Sequence, residues 1–220
     1  MEQKSKEIRH HLSDDVLMAY SAGALPEAFN LVVASHVSLS DESRARLEAF
    51  DAVGGAVLDG SDTVALHADS LDATMALIAA QDGVREAPRA APEDAVFPQP
   101  LRDYIDGDLD AVAWRSIGGG VRQSIIPTSS DATVRLLHIP AGTAIPDHGH
   151  SGMEMTLVLK GAFRDEFDRF ARGDVEVANE HLNHTPIAEE GEDCICLAAT
   201  DAPLKFSGFL PRIAQRFAGI

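Results

Sequence analysis

Three histidines and one glutamate are spaced along this chain as a metal-ligand set. His148 and His150 stand two residues apart within GTAIPDHGHSGMEMTLVLKG (142–161), and Glu154 follows shortly after. His184 belongs to a separate segment that opens at Gly173 and Asp174. Neutral imidazole and carboxylate suit zinc, iron, nickel, copper or manganese, so the residue types point to a transition metal without choosing one. On a strand, side chains two apart share a face, so His148 and His150 converge; Glu154 keeps that parity if the strand runs on without a bulge. His184 must then come from another strand to close the site. The competing reading, unrelated surface histidines around a turn, requires four ligand-type residues to meet this spacing by accident.

The strands that would carry them are legible downstream. Apolar runs with period-two alternation appear at 121–127, 133–139, 154–160, 174–178 and 194–199, each bounded by Gly, Pro, Asn or Asp. Upstream the texture is helical. Ser13 can cap a helix with Asp14 and Asp15 in its first turn, Val16, Leu17, Tyr20 and Leu25 on its apolar side and Gly23 as a stop. Pro26 opens a second helix, in which Phe29, Val32, Val33, His36 and Val37 keep the helical period. A third starts near Asp41 with Leu47, Phe50, Val53 and Val57 in step, weakened toward its end by Gly54 and Gly55. A fourth is capped by Asp69 or Ser70 and carries Leu71, Met75 and Ile78. Residues 82–100 hold four prolines and read as a semi-extended linker. Residues 209–220 return to a helical pattern after Pro211. The expectation is therefore two domains: helical over 1–81, a linker over 82–100, and an all-β metal-binding domain over 101–220.

Composition narrows the function. The chain has 220 residues and a formal net charge of -17, with the excess carboxylates spread over both halves. Such a field repels phosphates, so direct nucleic-acid binding is not expected, whereas masking a basic protein is. No apolar run approaches the roughly 20 residues of a membrane span, and the first residues are too polar for a signal peptide, so a cytoplasmic protein is expected. Cys194 and Cys196 are too close in sequence for an ordinary disulfide, but they share one face of their strand. If that face is the barrel interior they approach the metal and are redox candidates; otherwise they are small core residues.

The spacing Gly142, His148, His150, Glu154, Gly161 resembles the first cupin motif at every fixed position. The second motif is matched at Gly173, Asp174 and His184, while Asn179 and His181 replace its usual proline and glycine. The resemblance implies a cupin, a double-stranded β-helix or jelly-roll barrel, as the C-terminal domain. A near-motif stands in the helical half: His36, Ser40 and Ser43, with His11 upstream. With cysteines in place of both serines this would be a zinc site. The order of helical segment, near-motif, linker and cupin pattern, with stretches such as DDVLMAYSAGALPEAFNLVVASH, GGGVRQ, GAFRDE and DCICLAATDAPL, resembles the ChrR-type zinc anti-sigma factors over essentially the whole chain.

That resemblance implies a regulator, not an enzyme. Its helical domain would sequester an extracytoplasmic-function (group IV) sigma factor, and its cupin domain, with zinc on His148, His150, Glu154 and His184, would drive release when singlet oxygen or related oxidants appear. It also implies a second zinc on His11, His36 and two cysteines. This chain departs there: Ser40 and Ser43 are poor zinc ligands near neutral pH, so the second zinc is expected to be absent and both serines to act as caps. Tyr20, Phe29, Val33, Leu47 and Phe50 would supply either a partner groove or the helices' own core. The alternative function is a cupin metalloenzyme, a dioxygenase or isomerase, with a helical appendage, since the same ligand set serves both. His138, His181 and Arg135 are the further polar candidates for such a pocket.

Overall fold

The computed structural model describes residues 7–80, 92, 94–203 and 205–206. The helical pattern expected over 209–220, and most of the expected linker, lie outside the described residues. Five helices come first: α1 (Asp14–Ser21), α2 (Glu27–Leu39), α3 (Asp41–Asp59), α4 (Ser70–Ala80) and α5 (Gln99–Ile105). A short 3-10 turn (Leu109–Ala111) leads into the strands β1 (Arg115–Gly118), β2 (Val121–Ile126), β3 (Thr133–Ile139), β4 (His148–Gly149), β5 (Glu154–Lys160), β6 (Ala162–Arg164), β7 (Arg169–Ala171), β8 (Val175–Ala178), β9 (Asn183–His184), β10 (Ile187–Ala188), β11 (Cys194–Thr200) and β12 (Lys205–Phe206).

Antiparallel pairing gathers these strands into one six-stranded sheet, in the order β1-β2-β3-β11-β5-β8, and two three-stranded sheets, β10-β6-β7 and β12-β4-β9. This is the expected α plus all-β arrangement, with a cupin jelly roll after the helices. The central strand β11 is buried at every position. Period-two alternation explains why. Ile195, Leu197 and Ala199 belong to the core cluster shared with the helices, whereas Cys196, Ala198 and Thr200 line the barrel cavity. In β3, Val134 and Leu136 face the helix side and Arg135, Leu137 and Ile139 the cavity; in β5, Met155, Leu157 and Leu159 oppose Glu154 and Thr156. A strand covered on both faces reads as a continuous apolar run, which is what CICLAAT is.

The cover on the outer face is α2, which packs against β11, β5 and β3, with α5 beside it. Phe29, Val32 and Val33 of α2 are fully buried in the same cluster as Leu136, Leu157 and Leu197. Burying each such side chain stabilises by about 2 kcal/mol, so the helical domain is fastened to the barrel by its own core. Phe29 and Val33 are thus interior residues of this chain and not part of a partner groove. The last residues of the expected linker are also packed: Phe97 is buried and α5 starts at Gln99, inside the stretch read as extended. Pro98 at the N-cap and Pro100 in the first turn permit that helix, since a proline there loses no helical hydrogen bond.

Two smaller readings change. Gly54 and Gly55 do not end α3, which continues to Asp59. Ser13 sits at the N-cap of α1 but makes no side-chain cap bond. Ser40 does act as a cap: its hydroxyl accepts from the Ser43 N–H at the start of α3.

Candidate metal centre

The strand carrying His148 does not run on to Glu154. β4 ends at Gly149, His150 lies just beyond it, and a bend through Gly152 carries the chain into β5 of the large sheet, where Glu154 is the first residue. The parity argument for Glu154 therefore fails, although the residue still reaches the cavity wall. His184 arrives from β9, whose register with β4 sets it directly opposite His148 and Asn183 opposite Gly149. A Cβ on Gly149 would lie 2.3 Å from Asn183 Oδ1, so a larger residue there requires the Asn183 side chain to move aside. Asn179, where the cupin pattern has proline, shapes the approach to β9: its Oδ1 accepts from the His181 N–H at 2.9 Å.

One ligand nitrogen from each of His148, His150 and His184 lies within 4.8 Å of the others, and all three residues are buried. Ring centroids are 4.7 Å apart for His148 and His184, 5.2 Å for His148 and His150, and 5.4 Å for His150 and His184. Glu154 Oε2 is 3.9 Å from His150 Nδ1. His148 Nδ1 bonds the Pro146 carbonyl at 2.9 Å, which makes Nδ1 the protonated nitrogen and Nε2 the lone-pair nitrogen. Both nitrogens of His150 and Nε2 of His184 are buried without a hydrogen-bond partner. Unpaired buried lone pairs are costly, and several aimed into one small space fit a cation. The three imidazoles match donors zinc takes; Glu154 stands beside them, outside the group whose ligand atoms are mutually within 4.8 Å.

Two residues that the spacing did not flag complete the site. Asp165 Oδ2 and Glu176 Oε1 each lie 3.1 Å from His184 Nδ1, and both carboxylates are almost wholly buried. They fix the His184 tautomer and aim Nε2 at the other imidazoles, the outer-shell arrangement of metal-bound histidines. Asp165 stands in the GAFRDE stretch, and Glu176 shares the Asp174 and Ala178 face of its strand, so a search for carboxylates on inward positions would have found the second.

The electrostatics follow the geometry. Desolvation lowers the His150 pKa to about 4, helped by the neighbouring His148 and His184, and lowers His148 as well. Burial also opposes charge on His184, but Glu176 and Asp165 overcome it and carry the imidazole up to about 9. Desolvation raises Glu154 to about 7, with the Glu176 charge adding to it. Positive charge is thus favoured beside His184, whether a proton or an ion brings it.

The cavity around these residues has a volume of about 90 Å³. Arg135 lies in its wall and bonds Gln123 Oε1 at 3.2 Å. His138 is outside, against Trp114 and Asp193, and the His181 side chain is exposed. Cys194 and Cys196 are buried with their sulfurs 3.5 Å apart, and Cys196 faces the cavity. The bond to Cys194, burial and the nearby carboxylates push the Cys196 thiol well above the usual range, so it stays protonated.

The helical half holds the second histidine cluster. His36 Nε2 is 2.8 Å from Ser43 Oγ, and His11 Nδ1 is 3.1 Å from Ser40 Oγ and 3.2 Å from Ser43 Oγ. His36, Ser40 and Ser43 are all buried. The four residues meet as expected, but they meet through hydrogen bonds.

Residues 104–203 match a family described as the ChrR cupin-like domain. Over 210 residues, covering 96% of this chain and 98% of the relative, the sequence is 56% identical to the anti-sigma-E factor ChrR of Cereibacter sphaeroides. A solved structure of Rhodobacter sphaeroides SigE in complex with the anti-sigma ChrR superposes with a TM-score of 0.78 at 55% identity, covering 89% of this chain and 100% of that one.

Proposed function

This chain belongs to the ChrR family of anti-sigma factors, and from that premise we propose that its helical domain sequesters an extracytoplasmic-function sigma factor, releasing it when oxidants reach the metal site of the barrel. One observation carries the binding half. α4 is an apolar helix with no buried residue, and Leu71, Met75, Leu77 and Ile78 are all more than half exposed. Val53, Val57 and Leu58 of the neighbouring α3 are exposed as well. Exposed apolar helical surface of this kind, on a protein whose relative is crystallised with SigE, fits a groove-and-helix contact with a sigma factor. The acidity of the chain suits a partner with basic surfaces. A sigma factor acts with RNA polymerase, so this reading puts the protein in the cytoplasm, without direct contact to nucleic acid. No helix among the described residues is long and apolar enough to cross a membrane. Replacing Met75 and Ile78 together by Asp is expected to weaken sigma binding by about 10- to 100-fold in a titration, with the melting temperature unchanged. Unchanged binding sinks the assignment of this face.

For the sensing half, His148, His150, Glu154 and His184 would hold one zinc, supplying a fixed charge that ties β4, β5 and β9 together. The small cavity supports regulation over turnover, since ligand sites that process substrates run to about 300–1,000 Å³. Singlet oxygen is the oxidant of choice for the test. In a reconstituted complex, the chain with His148→Ala and His150→Ala is expected to bind the sigma factor but to lose oxidant-triggered release; normal release from it defeats the sensor reading. Cys194 and Cys196 stand as secondary redox candidates, and protonated buried thiols react slowly with oxidants. Replacing both by Ser is expected to leave release intact, and a lost response assigns them the chemistry instead.

A further inference from the structure

The helical domain departs from its family where a zinc site is expected, and the residues present do not fit the metal. Two of the four donors are serine hydroxyls, poor ligands that stay protonated near neutral pH. The hydrogen-bond directions also leave little for a cation. His36 Nδ1 lies 2.9 Å from the Gly173 carbonyl, which can only accept, so that nitrogen carries the hydrogen. His36 Nε2 is then an acceptor, and the Ser43 hydroxyl donates to it. Ser43 Oγ in turn accepts from His11 Nδ1, and Ser40 Oγ accepts from the Ser43 N–H. The lone pair that a metal would take from His36 is already used.

The far end of this chain of bonds is in the barrel. Arg172, Gly173 and Asp174 form the turn between β7 and β8. Asp174 Oδ1 accepts from the Arg9 and His10 N–H groups at 2.6 and 2.9 Å, and the Val175 N–H donates to the His10 carbonyl at 3.1 Å. Gly173 sits at a φ of +91°, and a Cβ there would lie 2.6 Å from Ile8 Cδ1. One short turn therefore takes the segment before α1 on one side and the buried end of α2 on the other. Two residues further along β8 is Glu176, against His184.

We propose that in this chain a metal-free hydrogen-bonded latch, running from His11 through Ser43 and His36 to Gly173, replaces the family's helical zinc site and clamps the helical domain to the barrel. The latch stands whatever partner α4 binds, because none of its residues lies on that face. It makes the helical domain indifferent to chelators and to thiol oxidants, and it leaves the barrel as the metal-responsive part.

Zinc content and amide hydrogen exchange on the full chain test this. The wild-type chain, reconstituted with Zn²⁺ and desalted, is expected to hold one Zn²⁺. EDTA is expected to leave exchange protection of the 36–43 amides unchanged. Ser43→Ala is expected to keep one Zn²⁺ but to raise exchange at Arg9, His10 and Val175 by about tenfold or more. Two Zn²⁺ per wild-type chain, with one lost in His36→Ala, overturns the proposal. So does protection of 36–43 that collapses in EDTA, a reading that needs no variant to fold. Wild-type exchange in a folded Ser43→Ala chain overturns the latch.

Discussion

The barrel and the helical domain both bury histidines, and they leave them in opposite states. In the barrel, both nitrogens of His150 and one of His184 have no hydrogen-bond partner. In the helices, both nitrogens of His36 are bonded, one to Ser43 and one to Gly173. A buried polar atom left unpaired costs about 1–3 kcal/mol, so the barrel cluster offers lone pairs that suit a cation, while the helical cluster finds its partners within the chain. What separates a ligand from a structural histidine is therefore the accounting of its lone pairs. Residue type and spacing alone put both clusters on the same footing.

The widest test of that difference restores the thiols. Replacing Ser40 and Ser43 together by Cys is expected to create a second Zn²⁺ site, because thiolates outcompete the hydroxyls and His36 Nε2 loses its donor at Ser43. Structural zinc sites of this class release on the order of 10 kcal/mol on binding, so the gain should read as a full second equivalent. A chain with both cysteines and still one Zn²⁺ shows that the helical geometry, and not the oxygen donors, excludes the metal. Next in size is His150→Ala. Sharing a comparable binding energy among four donors assigns each about 3 kcal/mol, an affinity loss of ~100-fold or more in a competition assay with a fluorescent chelator. His36→Ala is expected to leave that affinity unchanged, and an equal loss in both variants erases the contrast.

How far the sequence revealed this depends on which physics was local. The five long strand runs and the first four helices are set by periodicity, and they stand within a few residues of the expected places. The three imidazoles could be paired because alternation and the motif spacing both carry them. Glu154 reached the site by a route that parity does not describe, since the chain changes sheets at Gly152. Asp165 and Glu176 were hidden because their role exists only once β6, β8 and β9 are folded around His184. The packing of α2 on the outer face of β11 was hidden too. A strand buried on both sides and a strand buried on one side differ only in how apolar the second face is, and in CICLAAT that signal was read as alternation alone. The large apolar side chains of α4 gave the opposite difficulty, because a stripe that suits a core suits a partner equally well.

A pH titration probes the helical cluster directly. Burial is the main reason the His36 pKa is lowered to about 4; His11 and Arg46 add to it, while the Gly173 bond and Asp174 oppose it. In the unfolded chain a histidine titrates near 6.5, so below that pH the unfolded state binds a proton that the folded state refuses. Stability is then present in full above about pH 6.5 and is lost as pH falls toward 4, by up to roughly 3 kcal/mol from this one group. Replacing His36 by Gln is expected to flatten that part of the urea-midpoint profile. A profile with the same slope in both chains assigns the loss to other groups.

The finest distinction lies between the two carboxylates on His184. Each is 3.1 Å from Nδ1, yet their surroundings differ. Asp165 also accepts the Phe167 and Asp168 N–H groups at 2.8 and 2.9 Å, and despite its burial these bonds hold its carboxyl below the usual range. Burial raises Glu176 instead. Asp165 is therefore the readier of the two to stay ionised, whereas burial opposes the charge on Glu176, so a neutral amide costs less at Glu176 than at Asp165. Loss of such a partner costs about 10- to 100-fold in metal affinity, so Asp165→Asn is expected to fall in that range while Glu176→Gln changes affinity by only a few-fold. The reverse order would make Glu176 the charged partner and move the ionised carboxylate onto β8, two residues from the turn that carries the latch.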